Sequence, residues 1–277
     1  MFEQDAQTVN DRLVELAEIK QGDKVLDIAT GIGEPAITAA RKIGLKGYVL
    51  ATDISSQMLK IAKQRAMYFG LQDIVEFKEI DAERIDMDLQ SLQLSSFNAV
   101  LCRWGLMFVP NLTSTLKSIY KLLSSGGKVA AAVWSEPAKV PKLYTAIDFV
   151  TREIDISSPI TGNDSTYARI LSPFSLANIN VVKDALIQVG FKDINIEYLN
   201  VVFEFASGED YTNFAKEIIA PLTNILTNET ETRREEIWKA LAKEVERKYV
   251  SANNNSNIGH NRSIKMDNET ICIVGRK

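Results

Sequence analysis

Three carboxylates and two glycines, each at the end of a short apolar run, are the residues of this chain whose spacing carries chemical meaning. The first group is Val25-Leu26-Asp27-Ile28-Ala29-Thr30-Gly31-Ile32-Gly33-Glu34-Pro35-Ala36, an apolar strand running into a Gly-x-Gly turn that opens a helix. Gly31 and Gly33 let a ligand approach the main chain, and the first helical turn offers N–H groups without partners, which predicts a site for a nucleotide-like ligand. Gly31-x-Gly33-x-x-Ala36 also satisfies the dinucleotide fingerprint, and Asp53 stands twenty positions after Gly33, where an acid can hold ribose hydroxyls. Taken alone, this turn reads equally as that of an NAD(P)-dependent oxidoreductase.

Two further acids separate the readings. Asp27 lies inside the first strand, where a buried carboxylate is costly unless paired; a ligand bearing a cationic ammonium supplies the partner, directly or through water. Asp81-Ala82 follows the third strand, where a carboxylate can accept a hydrogen bond from an exocyclic amine such as that of adenine. Acids after strands one, two and three match an amino-acid head, a ribose and a base laid across the switch point of an open sheet. A dinucleotide needs only the second of them and a phosphate nest. Each residue alone has a plain structural reading: a strand-to-helix turn for the glycines, a helix cap for Asp53, a solvated loop acid for Asp81.

The elements that must position these groups follow from the pattern. Short apolar runs alternate with helix-period segments from residue 24 to 134, as in βαβ units with a mainly parallel sheet. Strands are expected at Lys24 to Ala29, Tyr48 to Asp53, Val75 to Ile80, Phe97 to Cys102 and Lys128 to Trp134, with helices at Pro35 to Ile43, Gln57 to Phe69 and Leu112 to Leu123. Pro35 suits a first helical turn, Ser55 or Ser56 and Asn111 suit N-caps, and Gly44, Gly70 and Gly126 suit helix ends. Ser135 to Ile179, rich in Pro, Ser, Thr and Asn around a helix from Leu143 to Glu153, reads as a cap over the sheet. Beyond it come Asn180 as N-cap, an apolar face of Val181, Ala185, Leu186 and Val189, a stop at Gly190 and a strand from Ile194 to Phe205. Ser207 and Asp210 have capping-box spacing and open a helix with the stripe Tyr211, Phe214, Ile218 and Leu222. A helix from about Thr230 to Tyr249 carries Trp238, Leu241, Val245 and Tyr249 on one face, opposite a dense set of Glu, Lys and Arg. An Asn-rich loop, Ala252 to Arg262, and a last strand, Thr270 to Val274, complete the chain.

Composition sets outer bounds. The 277 residues are 45% hydrophobic and 25% charged, as in ordinary globular proteins, and suit one core domain with an elaboration. The net charge of -4, with basic residues scattered, disfavours nucleic acid as a partner. Cys102 and Cys272 both lie in apolar strand-like runs, which suits a reducing, cytoplasmic setting. The opening MFEQDAQTVNDRL lacks the apolar region of a signal peptide, and no apolar run approaches the ~20 residues of a membrane span.

The residues from Val14 to Trp134 resemble the core of class I S-adenosylmethionine-dependent methyltransferases, in particular the group containing ubiquinone- and menaquinone-type C-methyltransferases; the remainder resembles it loosely. The resemblance implies an α/β fold: a Rossmann-like, doubly wound, seven-stranded, mostly parallel sheet with an antiparallel last strand, plus a helical cap. Residues 1–134 would form the cofactor core, 135–179 a cap insertion, and 180–277 the completion of the sheet with two additional cap helices. It implies S-adenosylmethionine as cofactor, with Asp27, Thr30, Gly31 and Gly33 on the methionine moiety, Asp53 on the ribose, Ile54 and Met58 flanking the adenine, and Asp81 with Ala82 reading its amine. Cys102-Arg103-Trp104 would border the sulfonium and the methyl acceptor. The place after strand four reads Cys102-Arg103-Trp104-Gly105 and lacks the Asn/Asp-Pro-Pro-aromatic signature of nucleic-acid amino-methylating enzymes. The expected acceptor is therefore a small, partly apolar molecule such as a quinone, polyketide, terpenoid or phenolic, methylated at carbon or oxygen by in-line displacement. A non-catalytic S-adenosylmethionine-binding protein is the remaining alternative.

Two catalytic candidates emerge. His260, the only histidine, could act as a base although its Asn-rich surroundings read as a surface loop. Arg103, at the carboxyl edge of the sheet, could steer an anionic acceptor or simply pair with a nearby cap carboxylate. Trp104, Met107, Phe108 and Trp134 could wall an acceptor pocket or belong to the core. Asn98 stands where many relatives place an acid, and Phe2 to Val9 leave little length for a lid. No metal site is expected, and the chain would act as a monomer or homodimer.

Overall fold

The computed structural model describes residues 5–91, 96–155, 172–249 and 263–277. Expectations for His260, for the Ala252 to Arg262 loop and for much of the cap segment lie outside the described residues.

The chain forms two compact units. The larger comprises Ala6–Ser135, Ser175–Leu199 and Thr270–Lys277; the smaller comprises Met1–Asp5, Glu136–Phe174 and Asn200–Glu269. In chain order the larger unit contains α1 (Gln7–Leu16), β1 (Lys24–Ile28), α2 (Ala36–Ile43), β2 (Tyr48–Asp53), α3 (Ser56–Tyr68), β3 (Val75–Glu79), α4 (Ile85–Ser91), β4 (Phe97–Arg103), α5 (Leu112–Leu122) and β5 (Leu123–Trp134). Then follow α6 (Pro141–Glu153), α7 (Ile179–Val189), β6 (Lys192–Phe205), α8 (Gly208–Ile218), α9 (Ala220–Leu226), α10 (Glu231–Tyr249) and β7 (Ile264–Arg276).

The seven strands lie in the order β3-β2-β1-β4-β5-β7-β6. β1 pairs in parallel with both β2 and β4, β2 with β3, and β4 with β5, whereas β7 runs antiparallel to β5. The chain leaves β1 toward β2 on one side and reaches β4 on the other, so the switch point lies between β1 and β4, where open α/β sheets bind ligands. Val25, Leu26, Val49, Leu50, Val100, Leu101, Ala130 and Val133 are fully buried. Their near-continuous apolar runs are those of a parallel sheet covered on both faces.

Punctuation works largely as the residue types dictate. Ser55 Oγ accepts from Met58 N, Asn111 Oδ1 accepts from Ser114 N, and Gly44 and Gly190 end α2 and α7 with positive φ. Several details differ. Pro35 is the residue before α2 rather than its first residue. Gly126 lies inside β5, which begins at Leu123 directly after α5, so the helix is ended by a strand and not by glycine. Asn178, not Asn180, caps α7, and the buried stripe is Val182, Ala185 and Leu186, with Val181 exposed. In the smaller unit Tyr211 and Phe214 are buried, but Ile218 is 56% exposed because α8 ends there and a new helix starts. Tyr211 Oη accepts from Ala146 N at 3.0 Å and donates to Lys142 O at 3.2 Å, tying α8 to α6.

Candidate functional site

β1 delivers Asp27 to the switch point, and the turn beyond it is closed by its own polar groups. Thr30 Oγ1 donates to Asp27 Oδ2 at 2.6 Å, and Ala36 N, at the start of α2, donates to the same oxygen at 3.0 Å. Asp27 is fully buried, and its other oxygen, Oδ1, has no hydrogen-bond partner. Burial pushes its carboxyl up from the ordinary 3.8 to about 7, against the lowering effects of the Thr30 and Ala36 bonds and the positive charge of Arg103. Isolating a carboxylate in this way is expensive, and an orphaned acceptor is a place for a donor that the chain does not provide.

Asp53 closes the turn from the β2 side. Its Oδ2 accepts from Gly31 N and its Oδ1 from Ser55 N, both at 2.8 Å. Gly31 and Gly33 have φ of 58° and 102°. A Cβ at Gly33 would come within 3.0 Å of Ile37 Cδ1 and 3.2 Å of Ala62 Cβ, so glycine is what lets α2 and α3 pack against the turn. The helix N-terminus is not the open anion nest that the glycine spacing suggested. Ala36 N is taken by Asp27 and Thr38 N by Glu34 Oε2, while Ile37 N is bonded to Gly33 O. Carboxylates already occupy this helix start, which makes it hostile to a pyrophosphate and removes the physical basis for a dinucleotide.

Beside the turn, Ile54 is 68% exposed and Met58 43% exposed. A Cβ at Gly31 would lie 3.9 Å from Met58 Sδ, so this apolar shelf adjoins the glycine turn. Ile80 N donates to Asp53 O, which sets Asp81 next to the end of β2. Asp81 Oδ1 caps the short turn Ala82–Arg84 through Glu83 N at 3.0 Å. Asp27, Thr30, Gly31, Gly33, Asp53, Ile54, Met58, Asp81 and Ala82 thus lie along the ends of β1, β2 and β3.

The ends of β4 and β5 form a different surface. Cys102 is fully buried, and burial raises its thiol to about 12. Arg103 Nη1 donates to Asn10 Oδ1 at 2.7 Å, and its guanidinium lies 4.8 Å from the Trp104 ring. Trp104, at φ 55°, donates from Nε1 to Thr270 Oγ1 at 3.0 Å and stacks on Trp134 with ring centroids 4.2 Å apart. Met107 is buried, with its carbonyl accepting from Ser175 Oγ at 2.7 Å, whereas Phe108 is 58% exposed. Gly105 brings the two rims together: a Cβ there would fall 2.5 Å from Ala29 Cβ.

Four residues with a part in this arrangement escaped the sequence reading. Glu34 is buried and accepts from Thr38 Oγ1 at 2.7 Å, and Arg65 donates to Ile32 O at 2.6 Å, pinning the glycine turn to α3. Asn10 and Gly105 complete the set. Glu34 sits inside the quoted motif and was visible there; Arg65 and Asn10 carry no local signal. Asn98, the departure noted in strand four, accepts from Lys24 N at 2.8 Å and so ties β4 to the start of β1. Among the described residues no group of His, Cys, Asp and Glu is placed to hold a metal ion, and no helix is long and apolar enough to cross a membrane.

The orphaned Asp27 oxygen, the Asp53 carboxylate, the exposed Ile54 and Met58 and the loop acid Asp81 fit S-adenosylmethionine, whose ammonium, ribose, adenine and adenine amine need those chemistries in that order. Comparisons with known proteins agree. The ubiquinone/menaquinone biosynthesis C-methyltransferase UbiE of Methylococcus capsulatus is 32% identical over 161 residues, covering 57% of this chain and 62% of that protein. UbiE of Pseudomonas savastanoi pv. phaseolicola is 26% identical over 181 residues, covering 64% of this chain and 68% of that protein. In fold, the chain is similar to Haemonchus contortus phosphoethanolamine N-methyltransferase 2 in complex with S-adenosyl-L-methionine, with a TM-score of 0.52 at 17% identity, over 98% of this chain and 52% of that one. The model of the ubiE/COQ5 methyltransferase family matches residues 4–155, more than half of the chain, which therefore belongs to that family and is an S-adenosylmethionine-dependent methyltransferase.

Proposed function

We propose that the methyl acceptor is a small, partly apolar molecule, methylated at carbon or oxygen, and that it is received on the Trp104–Trp134 side of the switch point. The observation carrying this reading is the stacked indole pair one residue beyond Arg103, with Met107 and the exposed Phe108 following it. Trp134 and Met107 are buried, so what this side offers is the half-buried Trp104 and the exposed Phe108, aromatic groups suited to an aromatic or conjugated acceptor. The two C-methyltransferases named above act, by their names, in quinone biosynthesis, and a phenolic or quinol acceptor fits the same surface.

On the cofactor side, Asp27 and Asp53 would hold the amino-acid and ribose portions, Ile54 and Met58 would flank the base, and Asp81 with Ala82 would read its amine. S-adenosylmethionine, when bound, supplies a methyl group already activated by its positive sulfur. The chain's own task is then alignment and exclusion of water. Buried Gly33 and the Arg65 bond keep the turn in one geometry, and the Gly105 approach keeps the β4 end against it. Cys102, with its thiol raised to about 12, is not a nucleophile here. An acceptor carbon or phenol acidic enough to be ionised in solution needs no positioned base, whereas an alcohol requires one, for which His260 is the sequence candidate.

Release of S-adenosylhomocysteine, measured against a panel of quinols, phenols, terpenoid and fatty acids, and small polar amines, tests the reading. Turnover is expected with the conjugated or phenolic members. Turnover confined to the polar amines overturns it.

A further inference from the structure

We propose that the ends of α2 and α3, at the edge of the sheet where the strands begin, dock on the surface of an anionic lipid bilayer. Exposed apolar side chains enter the lipid boundary there, and neighbouring cations meet lipid phosphates. The proposal is independent of the acceptor reading above.

The charge of the chain is unevenly spread. Between Pro35 and Gln72 stand six cations, and Asp53, buried in the glycine turn, is the only carboxylate, in a chain whose net charge is -4. Along the sequence these cations are spaced out; the fold gathers them. In a βαβ unit each helix runs back against its strands, so α2 and α3 both end at the edge opposite the glycine turn. The Arg41 guanidinium lies 4.3 Å from the Phe69 ring, which joins the two helix ends. Val49 N donates to Ile74 O at 2.9 Å, which sets the loops leading into β2 and β3 side by side. Arg41, Lys42, Lys46 and Lys63 are exposed, and among the described residues none of them has a carboxylate within ion-pair distance. Surface cations elsewhere do, as in Lys121–Asp86, Lys128–Glu18 and Lys139–Glu269. Asp73, in the loop to β3, is the one exposed carboxylate that the chain contributes between the start of α2 and β3.

Large apolar side chains stand among these cations. Leu45 is 88% exposed, Tyr68 84% and Met67 65%, so little of the chain's own packs on them. One exposed apolar residue needs no explanation; three at one end of the fold, beside unpaired cations, call for an occupant. The combination identifies its chemistry. Protein interfaces are depleted in lysine, and base stacking calls for flat rings, which Leu45 and Met67 do not offer. An anionic bilayer answers both features at once: its phosphates attract each nearby Lys or Arg, and its acyl boundary takes up the apolar tips. Tyr68 suits such a boundary, with an apolar ring and a polar end.

Co-sedimentation with vesicles of phosphatidylcholine containing about one third phosphatidylglycerol, against vesicles of phosphatidylcholine alone, tests this. The wild-type chain should bind the anionic vesicles at least about tenfold more tightly, and should release them when salt is raised from about 0.1 to about 0.5 M. Lys42→Glu combined with Lys46→Glu should weaken that binding by at least about twentyfold, from a loss of about fivefold for each cation removed. Leu45→Ser combined with Tyr68→Ser keeps every cation and should weaken it by about tenfold. All four positions are exposed, so both variants should keep the wild-type thermal midpoint and bind S-adenosylmethionine within about twofold of wild type, which separates lost docking from lost folding. A wild-type chain that ignores the anionic vesicles, or either double variant binding them as well as wild type, overturns the proposal. So does tight binding of a single-stranded DNA oligomer, lost in the Lys42, Lys46 variant, by a chain that leaves the vesicles in suspension; the cations would then serve a nucleic acid.

Discussion

The rim at the ends of β1 and β2 and the rim at the ends of β4 and β5 are built from different materials and over different reaches of chain. In the first, the bonds made by Asp27 and Asp53 join residues 3, 9 and 22 apart, as in Thr30–Asp27, Ala36–Asp27 and Gly31–Asp53, and the longest reach is the 33 residues of Arg65–Ile32. In the second, they join residues 93, 166 and 68 apart, as in Arg103–Asn10, Trp104–Thr270 and Ser175–Met107. The first rim is polar and nearly self-satisfied, with one oxygen left over. The second is aromatic and depends on α1, β7 and the segment before α7. On the function proposed above, the cofactor is served mainly by a local motif, while the acceptor would be met by parts assembled from distant segments.

The sharpest way to break this contrast is at Asp27. Replacing it by Ala removes the acceptor of two internal bonds and the one side-chain oxygen that is buried without a partner among the described residues, and should weaken S-adenosylhomocysteine by at least about a hundredfold in calorimetry. Its acidity gives a second handle. Burial raises the carboxyl from 3.8 to about 7, so between about pH 4 and 7 the folded chain holds a proton that the unfolded chain has released. Stability of the ligand-free chain should therefore fall as pH rises through that window and level off above it. A ligand ammonium favours the ionised form, so affinity should rise with pH up to about 7, and binding at pH 6 should release a proton into buffers of differing ionisation enthalpy. Proton release unchanged in Asp27→Asn would assign it to another group and remove Asp27 from the contact.

A smaller effect is expected across the site. Trp104→Leu removes one indole of the stacked pair and the Nε1 bond to Thr270, and should raise the acceptor KM by about tenfold while the Kd of S-adenosylhomocysteine stays within about twofold. A stability loss of about 1–3 kcal/mol should accompany it, read from the thermal midpoint. Cofactor and acceptor affinities falling together would mean that the rims act as one unit, coupled through the Gly105 approach to Ala29.

The same contrast explains what the sequence made visible. Strands β1 to β5, the Ser55 and Asn111 caps and the glycine turn are each dictated within a dozen residues by apolar period and turn chemistry, and the structure carries them with shifts of a few residues. What stayed hidden depends on the fold. Nothing near Asn10 marks it as a partner of Arg103, and Arg65 looks like any basic residue on an exposed helix until α3 is laid beside the turn. The open helix start was misread because the motif shows the N–H groups but not that Asp27 and Glu34 turn back to take them. Val181 was read for Val182 because both stand three or four residues before the buried Ala185–Leu186 pair, and helical spacing alone does not say which of the two turns inward.

Cys102 offers the finest test, because it stands at the junction of the two rims. Sequence order places it next to Arg103, beside the reacting groups. Its side chain is buried, its thiol is raised to about 12, and a Cβ at position 105 would lie 2.8 Å from its Sγ. A thiol held so tightly and so weakly acidic fills space and does no chemistry. Cys102→Ala should keep turnover within about twofold and cost about 1 kcal/mol of stability, the scale for trimming a small buried group. Iodoacetamide at pH 8 should leave Cys102 unmodified in the folded chain and alkylate it in the denatured one, as followed by peptide mass spectrometry. Rapid alkylation of the folded chain would show that the β4 end opens to solvent, and then the acceptor side could not be the fixed, water-excluding wall that separates it from the self-satisfied rim around Asp27.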